Sequence, residues 1–233
     1  MTVIKIDVVF DFVCAWCYIG KRKLDRAIAL YQKTYPGGKD DVFAITWHPY
    51  YLGYNPSSHS VDKSQLADTK LSDMSPERRA ALTRRMEQVG RSVGINFQWG
   101  GKIGPNTRGA HRLVRLSRAK GPEATADVIE RLFEAYHELE KDITEEEVLR
   151  AVASDAGLDS AEVEGLLKSE TGLDEVDNDE KRGRDISGGA GVPLFVIQDS
   201  HRLEGAQDAS DFYEARLFNG RKLLEVEGAD TAA

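Results

Sequence analysis

Cys14 and Cys17, separated by two residues, are the side chains of this sequence whose type and spacing most directly indicate chemistry. They are the two cysteines of a 233-residue chain. A Cys-x-x-Cys pair is typical of thiol–disulfide exchange, in which one thiolate attacks a disulfide and the second thiol resolves the mixed disulfide. Structural disulfides usually close longer loops. We therefore expect a redox pair.

A packing role and a metal-binding role are the alternatives for this pair. Both cysteines could pack at the start of a helix without reacting, because buried cysteine behaves as a small apolar residue. A zinc site would need about four protein ligands, or three with a water molecule. The sequence has no second Cys-x-x-Cys, and its five histidines are scattered. We predict no metal site.

The elements around the pair predict a β-α-β unit that positions it. Val3–Phe10 is rich in β-branched residues, as in a buried strand, and Val42–Trp47 predicts a second strand. Between them, Trp16–Tyr31 has apolar residues at helical spacing. Cys14 then lies at a helix N-terminus, where unpaired amides and the helix dipole favour a thiolate. We expect Cys14 to be the nucleophile and Cys17, one turn further, the resolving thiol.

The rest of the chain predicts a helical insertion followed by a hairpin. Ser75, Thr144 and Ser160 are predicted to cap helices. The predicted helices are Pro76–Val93, Gly109–Arg118, Glu123–Glu138, Glu145–Ala156, Ala161–Lys168 and Thr171–Ile186, and no strand is predicted among them. Val192–Ile197 and His201–Leu203 then predict a hairpin, and Asp208–Leu217 a closing helix. We expect an α/β domain formed by residues 1–52 and 185–226, interrupted by a helical subdomain at 53–184.

Several motifs, in this order, resemble the DsbA-like thioredoxin proteins of the FrnE type. The matching segments are Asp11–Arg22, Trp47–Tyr50, Pro105–Thr107, Ala110–Arg112, Gly191–Ile197 and Gly205–Gln207. The resemblance implies a thioredoxin-like fold with a large all-helical insertion. It also implies a cis bond before Pro193, although local sequence alone favours trans, since cis accounts for about 5–6% of X–Pro bonds. Ala15 stands where relatives usually have proline.

The same resemblance suggests which residues face a substrate. Beside the two cysteines it implicates Val192 and Pro193, Trp16 between the thiols, and three residues of the insertion, Asn106, Thr107 and His111. A purely structural role stays open for the last three. Asn106 and Thr107 could cap a helix, and His111 could be a buried histidine with satisfied hydrogen bonds.

Two enzymatic functions and one binding function follow. The first is a thiol–disulfide oxidoreductase acting on protein or small-molecule disulfides, with no tightly bound cofactor and with glutathione as co-substrate or cellular reductant. The alternative is a glutathione-dependent transferase or isomerase acting on an aromatic or polyketide-like molecule, as in the related 2-hydroxychromene-2-carboxylate isomerases and kappa-class glutathione transferases. The third is a binding module that retains the fold without the chemistry.

Composition restricts the partners further. The formal net charge is −8, and no Lys/Arg-rich block indicates nucleic-acid binding. No apolar run approaches the roughly 20 residues that a transmembrane helix needs. The first ten residues lack the basic region and cleavage site of a signal peptide. We expect a cytoplasmic protein without a membrane or nucleic-acid partner, and the sequence leaves room for a homodimer.

Overall fold

The computed structural model describes residues 1–213, which form two compact units. Unit 1 contains Met1–Phe10, Trp16–Tyr50 and the described residues from Arg182 onward. Unit 2 contains Asp11–Ala15 and Tyr51–Lys181. The strands are β1 Val3–Phe10, β2 Val42–Pro49, β3 Val61–Asp62, β4 Lys102–Ile103, β5 Leu194–Ile197 and β6 His201–Glu204. The helices are α1 Ala15–Thr34, α2 Lys63–Lys70, α3 Pro76–Ser92, α4 Arg108–Ser117, α5 Pro122–His137, α6 Glu146–Asp155, α7 Ser160–Leu167, α8 Leu173–Ser187 and α9 Ala209–Phe212.

Unit 1 is built on a mixed four-stranded sheet with the order β2-β1-β5-β6. β1 runs parallel to β2 and antiparallel to β5, so Val8 lies opposite Trp47 on one side and Phe195 on the other. Burial along β1 explains its apolar residues. Ile4 and Ile6 are buried between more exposed neighbours, and the strand is fully buried over its last three residues, 8–10. This mixed sheet, with the cysteine-containing helix directly after β1, agrees with the thioredoxin-like fold that the sequence resemblance implies.

Helix α1 packs against the sheet through a close approach at Gly20. A Cβ atom at this position would lie 3.0 Å from Cζ of Phe195 and 3.1 Å from Cγ of Pro193. The missing side chain therefore brings α1 close to the start of β5. Near the other end of α1, the hydroxyl of Tyr31 donates a 2.9 Å hydrogen bond to Asp41, whose second oxygen accepts the amide of Thr2.

Unit 2 is mainly helical, as predicted, and its core includes the apolar face of α4. Arg112 on this helix is buried and donates to the carbonyl oxygens of Leu166, Ser169 and Thr171 at 2.6–3.0 Å. These carbonyls lie at and just after the C-terminus of α7, where backbone acceptors have no partner within the helix. Arg112, a residue of α4, thus provides hydrogen-bond donors for the backbone carbonyl groups at the end of α7.

Most predicted helices occur within two residues of their predicted bounds, and the differences have local causes. The structure adds α2 and a two-residue ladder between β3 and β4, which are too short for a periodic signal. The caps predicted at Thr144 and Ser160 are wrong. The Thr144 hydroxyl donates to Asp142 instead, and Asp159 caps α7 by accepting the amide of Glu162.

The closing helix is described as Ala209–Phe212, beginning with a capping box at Asp208. The rest of the predicted helix, residues 214–217, lies outside the described residues. Within residues 1–213, none of the helices combines the length and apolar character that a bilayer span requires.

A buried histidine supports the segment that precedes Cys14. Nε2 of His137 lies 2.9 Å from the carbonyl oxygen of Phe12. Burial, together with the nearby charge of Lys63, lowers the pKa of His137 to about 3. The ring is therefore neutral near pH 7, and Nε2 must carry the proton because a carbonyl only accepts. The phenyl ring of Phe12 packs 5.0 Å from that of Phe133 on the same helix as His137.

We predict that Gly20→Ala lowers the free energy of unfolding by about 1 kcal/mol, because the new methyl group overpacks the contact with Phe195 and Pro193. Helix propensity alone would change stability in the opposite direction, by about 0.8–1 kcal/mol. Gly165→Ala is the matched control, since nothing lies within 4 Å of the added Cβ in α7. Urea unfolding should show a lower free energy of unfolding than the wild type for Gly20→Ala and a higher one for Gly165→Ala. Equal gains would contradict the close packing.

We also predict a pH-dependent contribution from His137. Its pKa is about 3 in the folded protein and 6.5 without burial. Between these values the unfolded chain binds a proton that the folded chain does not, so stability falls as pH drops through this window. His137→Gln retains an N–H donor and cannot be protonated. The stability advantage of the wild type over this variant should shrink by several kcal/mol from pH 7 to pH 4, at about 1.4 kcal/mol per pKa unit. A pH-independent difference would contradict a neutral buried imidazole.

Candidate active site

The two cysteines lie where the sequence predicts them, at the start of α1. Cys14 immediately precedes the helix, and Cys17 is its third residue. The amide of Cys14 donates a 3.2 Å hydrogen bond to the carbonyl oxygen of Asp11, which closes a turn between β1 and α1. Cys14 is 7% exposed and Cys17 is 2% exposed. Both residues are buried, and Cys14 is the more exposed of the two, in the order expected of a nucleophile followed by a resolving thiol.

The Val192–Pro193 peptide bond is cis. Pro193 is buried, its ring lies beside Gly20, and its carbonyl oxygen accepts the amide of Gly205 at 2.8 Å. Gly20 follows Cys17 by three residues, so both occupy one face of α1. Within unit 1, the proline is therefore placed on the cysteine-bearing side of this helix. Val192 is half-buried, as is Trp16 in the first turn of α1.

Asn106 and Thr107 lie at the start of α4, beside two cavities of unit 2. Asn106 lines both, and its Oδ1 accepts the amide of Arg108 at 3.1 Å. Thr107 occupies the N-cap position, but its side chain makes no capping hydrogen bond. The smaller cavity measures about 90 Å³ and is also lined by Val13, the residue before Cys14. The larger measures about 440 Å³ and is lined by Ser58, His59, Ser60, Pro105, Asn106, Gly109, Thr144 and Glu145.

His111 is buried on α4, close to the segment that leads into Cys14. Its ring centre lies 4.8 Å from that of Phe12 and 5.9 Å from that of Tyr51. Its Nε2 atom is 3.6 Å from Oδ1 of Asp11, a side chain that is 1% exposed. The structure thus brings His111 beside an acid of the active-site turn. Sequence reasoning identified the histidine but did not predict this pairing.

A second polar cluster of unit 2 connects the start of α4 to α8. The guanidinium of Arg108 forms a bidentate ion pair with Asp177. The Tyr51 hydroxyl donates to the same carboxylate at 3.1 Å. Burial and the charge of Asp177 raise the pKa of Tyr51 well above its usual value, so the phenol stays protonated. Sequence reasoning missed this cluster because no motif places Asp177 near the loop after β2.

Within residues 1–213, no group of three or more His, Cys, Asp and Glu side chains is arranged to hold a metal ion.

Similarity to known proteins extends along nearly the whole chain. A Bacillus subtilis protein described as uncharacterized, YwbO, is 24% identical over 224 residues, which are 94% of this chain and 98% of that protein. A probable DsbA oxidoreductase from Streptomyces coelicolor has a solved structure with a TM-score of 0.78 and 24% identity, covering 91% of this chain and 88% of that chain.

Two further structures share the fold at lower identity. A 2-hydroxychromene-2-carboxylate isomerase matches with a TM-score of 0.60 and 17% identity, covering 98% of this chain and 100% of that chain. The cytosolic disulfide reductase DsbM of Pseudomonas aeruginosa, solved with GSH, matches with a TM-score of 0.57 and 18% identity over 96% of this chain and 98% of that chain.

The family profile described as a DsbA-like thioredoxin domain matches residues 5–216. The match includes both cysteines, Pro193 and the helical segment between them. With the fold and the Cys-x-x-Cys site already in place, this shows that the chain belongs to the DsbA-like thioredoxin domain family.

Proposed function

We propose that this protein is a thiol–disulfide oxidoreductase in which Cys14 is the nucleophile and Cys17 the resolving thiol. The observation that carries the proposal is the placement of the pair. Cys14 precedes α1 and is the more exposed residue, whereas Cys17 lies inside the first turn. The positive end of the helix dipole favours a thiolate at Cys14.

The exchange has two steps that balance in atoms and electrons. The Cys14 thiolate attacks a disulfide RS–SR′, forms a Cys14–SR mixed disulfide and releases R′S⁻. Cys17 gives its proton to the released R′S⁻ and attacks the Cys14 sulfur, which forms the Cys14–Cys17 disulfide and releases RS⁻. The substrate gains two electrons and the dithiol loses them. Two thiols of a cellular reductant such as glutathione return the pair to the dithiol form and leave as a disulfide.

We propose that the substrate binds beside Val192 and Pro193. Pro193 is fixed on the cysteine-bearing side of α1, next to Gly20. The half-buried Val192 and Trp16 offer accessible surface on the same unit. Extended substrates commonly bind by pairing with backbone next to a strand, which is the mode that we propose beside Val192. The cytosolic disulfide reductase that shares the fold, solved with GSH, supports glutathione as reductant and the cytoplasm as the compartment.

The alternative is a glutathione-dependent isomerase or transferase. The fold similarity to the 2-hydroxychromene-2-carboxylate isomerase and the cavity of about 440 Å³ in unit 2 favour it. Asn106 lines this cavity, and Thr107 lines the neighbouring one, so both would contact a small molecule there. In this reaction Cys14 would hold glutathione, and Cys17 would have no chemical step.

We predict that Cys14→Ser abolishes the reduction of a small aromatic disulfide by glutathione, because a serine hydroxyl does not form a disulfide. The loss should be at least about 100-fold, on the scale expected when a catalytic group is removed. Absorbance of the released thiol measures the rate. Gly165→Ala serves as the control, since its surroundings in α7 are open. A Cys14→Ser variant that keeps its activity would contradict the nucleophile assignment.

We predict that Cys17→Ser stops turnover after the first step and traps the substrate on Cys14. After reaction with a protein or small-molecule disulfide, intact mass spectrometry should show the mass of one RS group bound to Cys14. A reductant should then remove this group. The isomerase alternative predicts something different. Cys17→Ser would remain active, and the wild type would convert an aromatic substrate without any change in its thiol count.

A further inference from the structure

Asp11 is a buried acid in the turn that presents Cys14, and the thiol–disulfide exchange itself gives it no role. It follows β1 and precedes Cys14 by three residues. Only 1% of its surface is exposed. A carboxylate shielded from water interacts strongly with nearby charges, because the effective dielectric constant falls inside a protein. Asp11 and Cys14 are joined by a backbone hydrogen bond, so a thiolate forming at Cys14 is a charge in the same turn.

Two hydrogen bonds hold Asp11 in this position, and an imidazole faces its remaining oxygen. Its carbonyl oxygen accepts the amide of Cys14 at 3.2 Å. Its Oδ2 accepts the amide of Leu52, in the segment after β2, at 2.8 Å. Its Oδ1 has no hydrogen-bond donor among the described residues and faces Nε2 of His111 at 3.6 Å. The side chain thus joins the cysteine turn to the loop after β2 and leaves one oxygen directed at an imidazole.

The other ionisable groups around this site limit how the charge is balanced. Burial, followed by the charges of Asp11 and Asp142, raises the pKa of Tyr136 far above its usual value, so this phenol is neutral. His137 is neutral as well, with its pKa lowered to about 3. Lys63 is a nearby cation, but its ammonium lies 3.6 Å from the centre of the Tyr136 ring and donates to the Tyr136 carbonyl. His111 is the imidazole that faces the Asp11 carboxylate itself.

We propose, building on the proposed function, that Asp11 is a positioning residue of the redox centre whose carboxylate fixes the Cys14 turn and opposes the Cys14 thiolate, and that His111 offsets this charge. The carboxylate therefore works against the dipole of α1. A less stable thiolate makes the dithiol form less favourable relative to the disulfide, which lowers the reduction potential.

Asp11→Asn tests the proposal because it removes the charge and keeps an oxygen that can accept the Leu52 amide. The rate of iodoacetamide alkylation against pH, measured in a Cys17→Ser background, gives the pKa of Cys14 alone. We expect Asp11→Asn to lower this pKa by about one unit, which is the lower end of shifts caused by a neighbouring charge. A shift of one pKa unit is a tenfold change in the equilibrium between the Cys14 thiol and its thiolate. In Asp11→Asn with both cysteines present, it should raise the reduction potential, measured in glutathione buffers, by about 30 mV.

Two variants separate charge from structure. Asp7→Asn is the matched control, because Asp7 lies within β1 and is also paired with a histidine, His48, at 2.7 Å. Its side chain is 26% exposed, so solvent screens its charge. It should leave the Cys14 pKa unchanged. His111→Gln removes the imidazole and should raise the Cys14 pKa, opposite in sign to Asp11→Asn.

An unchanged Cys14 pKa in Asp11→Asn, or equal shifts in Asp11→Asn and Asp7→Asn, would overturn the proposal. Far-UV circular dichroism checks folding, and if Asp11→Asn does not fold, the sign of the shift in His111→Gln decides the question. The alkylation rate measures the Cys14 pKa without requiring catalytic turnover, so it tests Asp11 independently of the proposed reaction. A wild type that forms no Cys14–Cys17 disulfide would contradict the proposed function, while the pKa measurement would still decide the role of Asp11.

Discussion

The structure depends most on the short turn from Asp11 to Cys14, which joins a buried strand to a helix and places a thiol at the junction. One backbone hydrogen bond, from the Cys14 amide to the Asp11 carbonyl, closes it. Helix N-termini need partners for their first amides, and they favour negative charge. A cysteine immediately before such a helix therefore has its reactive form favoured by backbone geometry.

Each compact unit holds its own part of the cysteine-containing segment. Within unit 1, Gly20 brings α1 against Phe195 and Pro193, so the helix that contains Cys17 is fixed relative to the strand that begins after the cis proline. Within unit 2, His137 donates to the carbonyl of Phe12, and Asp11 accepts the Leu52 amide. The turn is thus supported by buried hydrogen bonds, which are costly to break because the freed groups would lack water.

The sequence predicts much of this arrangement because its strongest signals are local. The apolar run of β1, the helical spacing of α1 and the Cys-x-x-Cys pair are all readable within a few neighbouring residues. The resemblance supplied what local sequence argued against, the cis bond before Pro193. Whether Asn106, Thr107 and Val192 contact a substrate stays a prediction.

The features that sequence reasoning missed arise from contacts between distant segments. Asp11 and His111 are 100 positions apart, and their approach depends on how α4 packs against the segment after β1. The Arg108–Asp177–Tyr51 cluster similarly brings three separate segments together. The caps at Thr144 and Ser160 were mispredicted because an aspartate lies within two residues of each, Asp142 and Asp159. Both aspartates formed the local hydrogen bonds instead.

The most direct test of the central claim is an equilibrium titration of the wild type in glutathione redox buffers, with acid quenching and mass spectrometry of the cysteine-containing peptide. We predict a single two-electron transition in which Cys14 and Cys17 become joined by a disulfide. A protein that accumulates glutathione on Cys14 at every potential, with no Cys14–Cys17 bond, would contradict it.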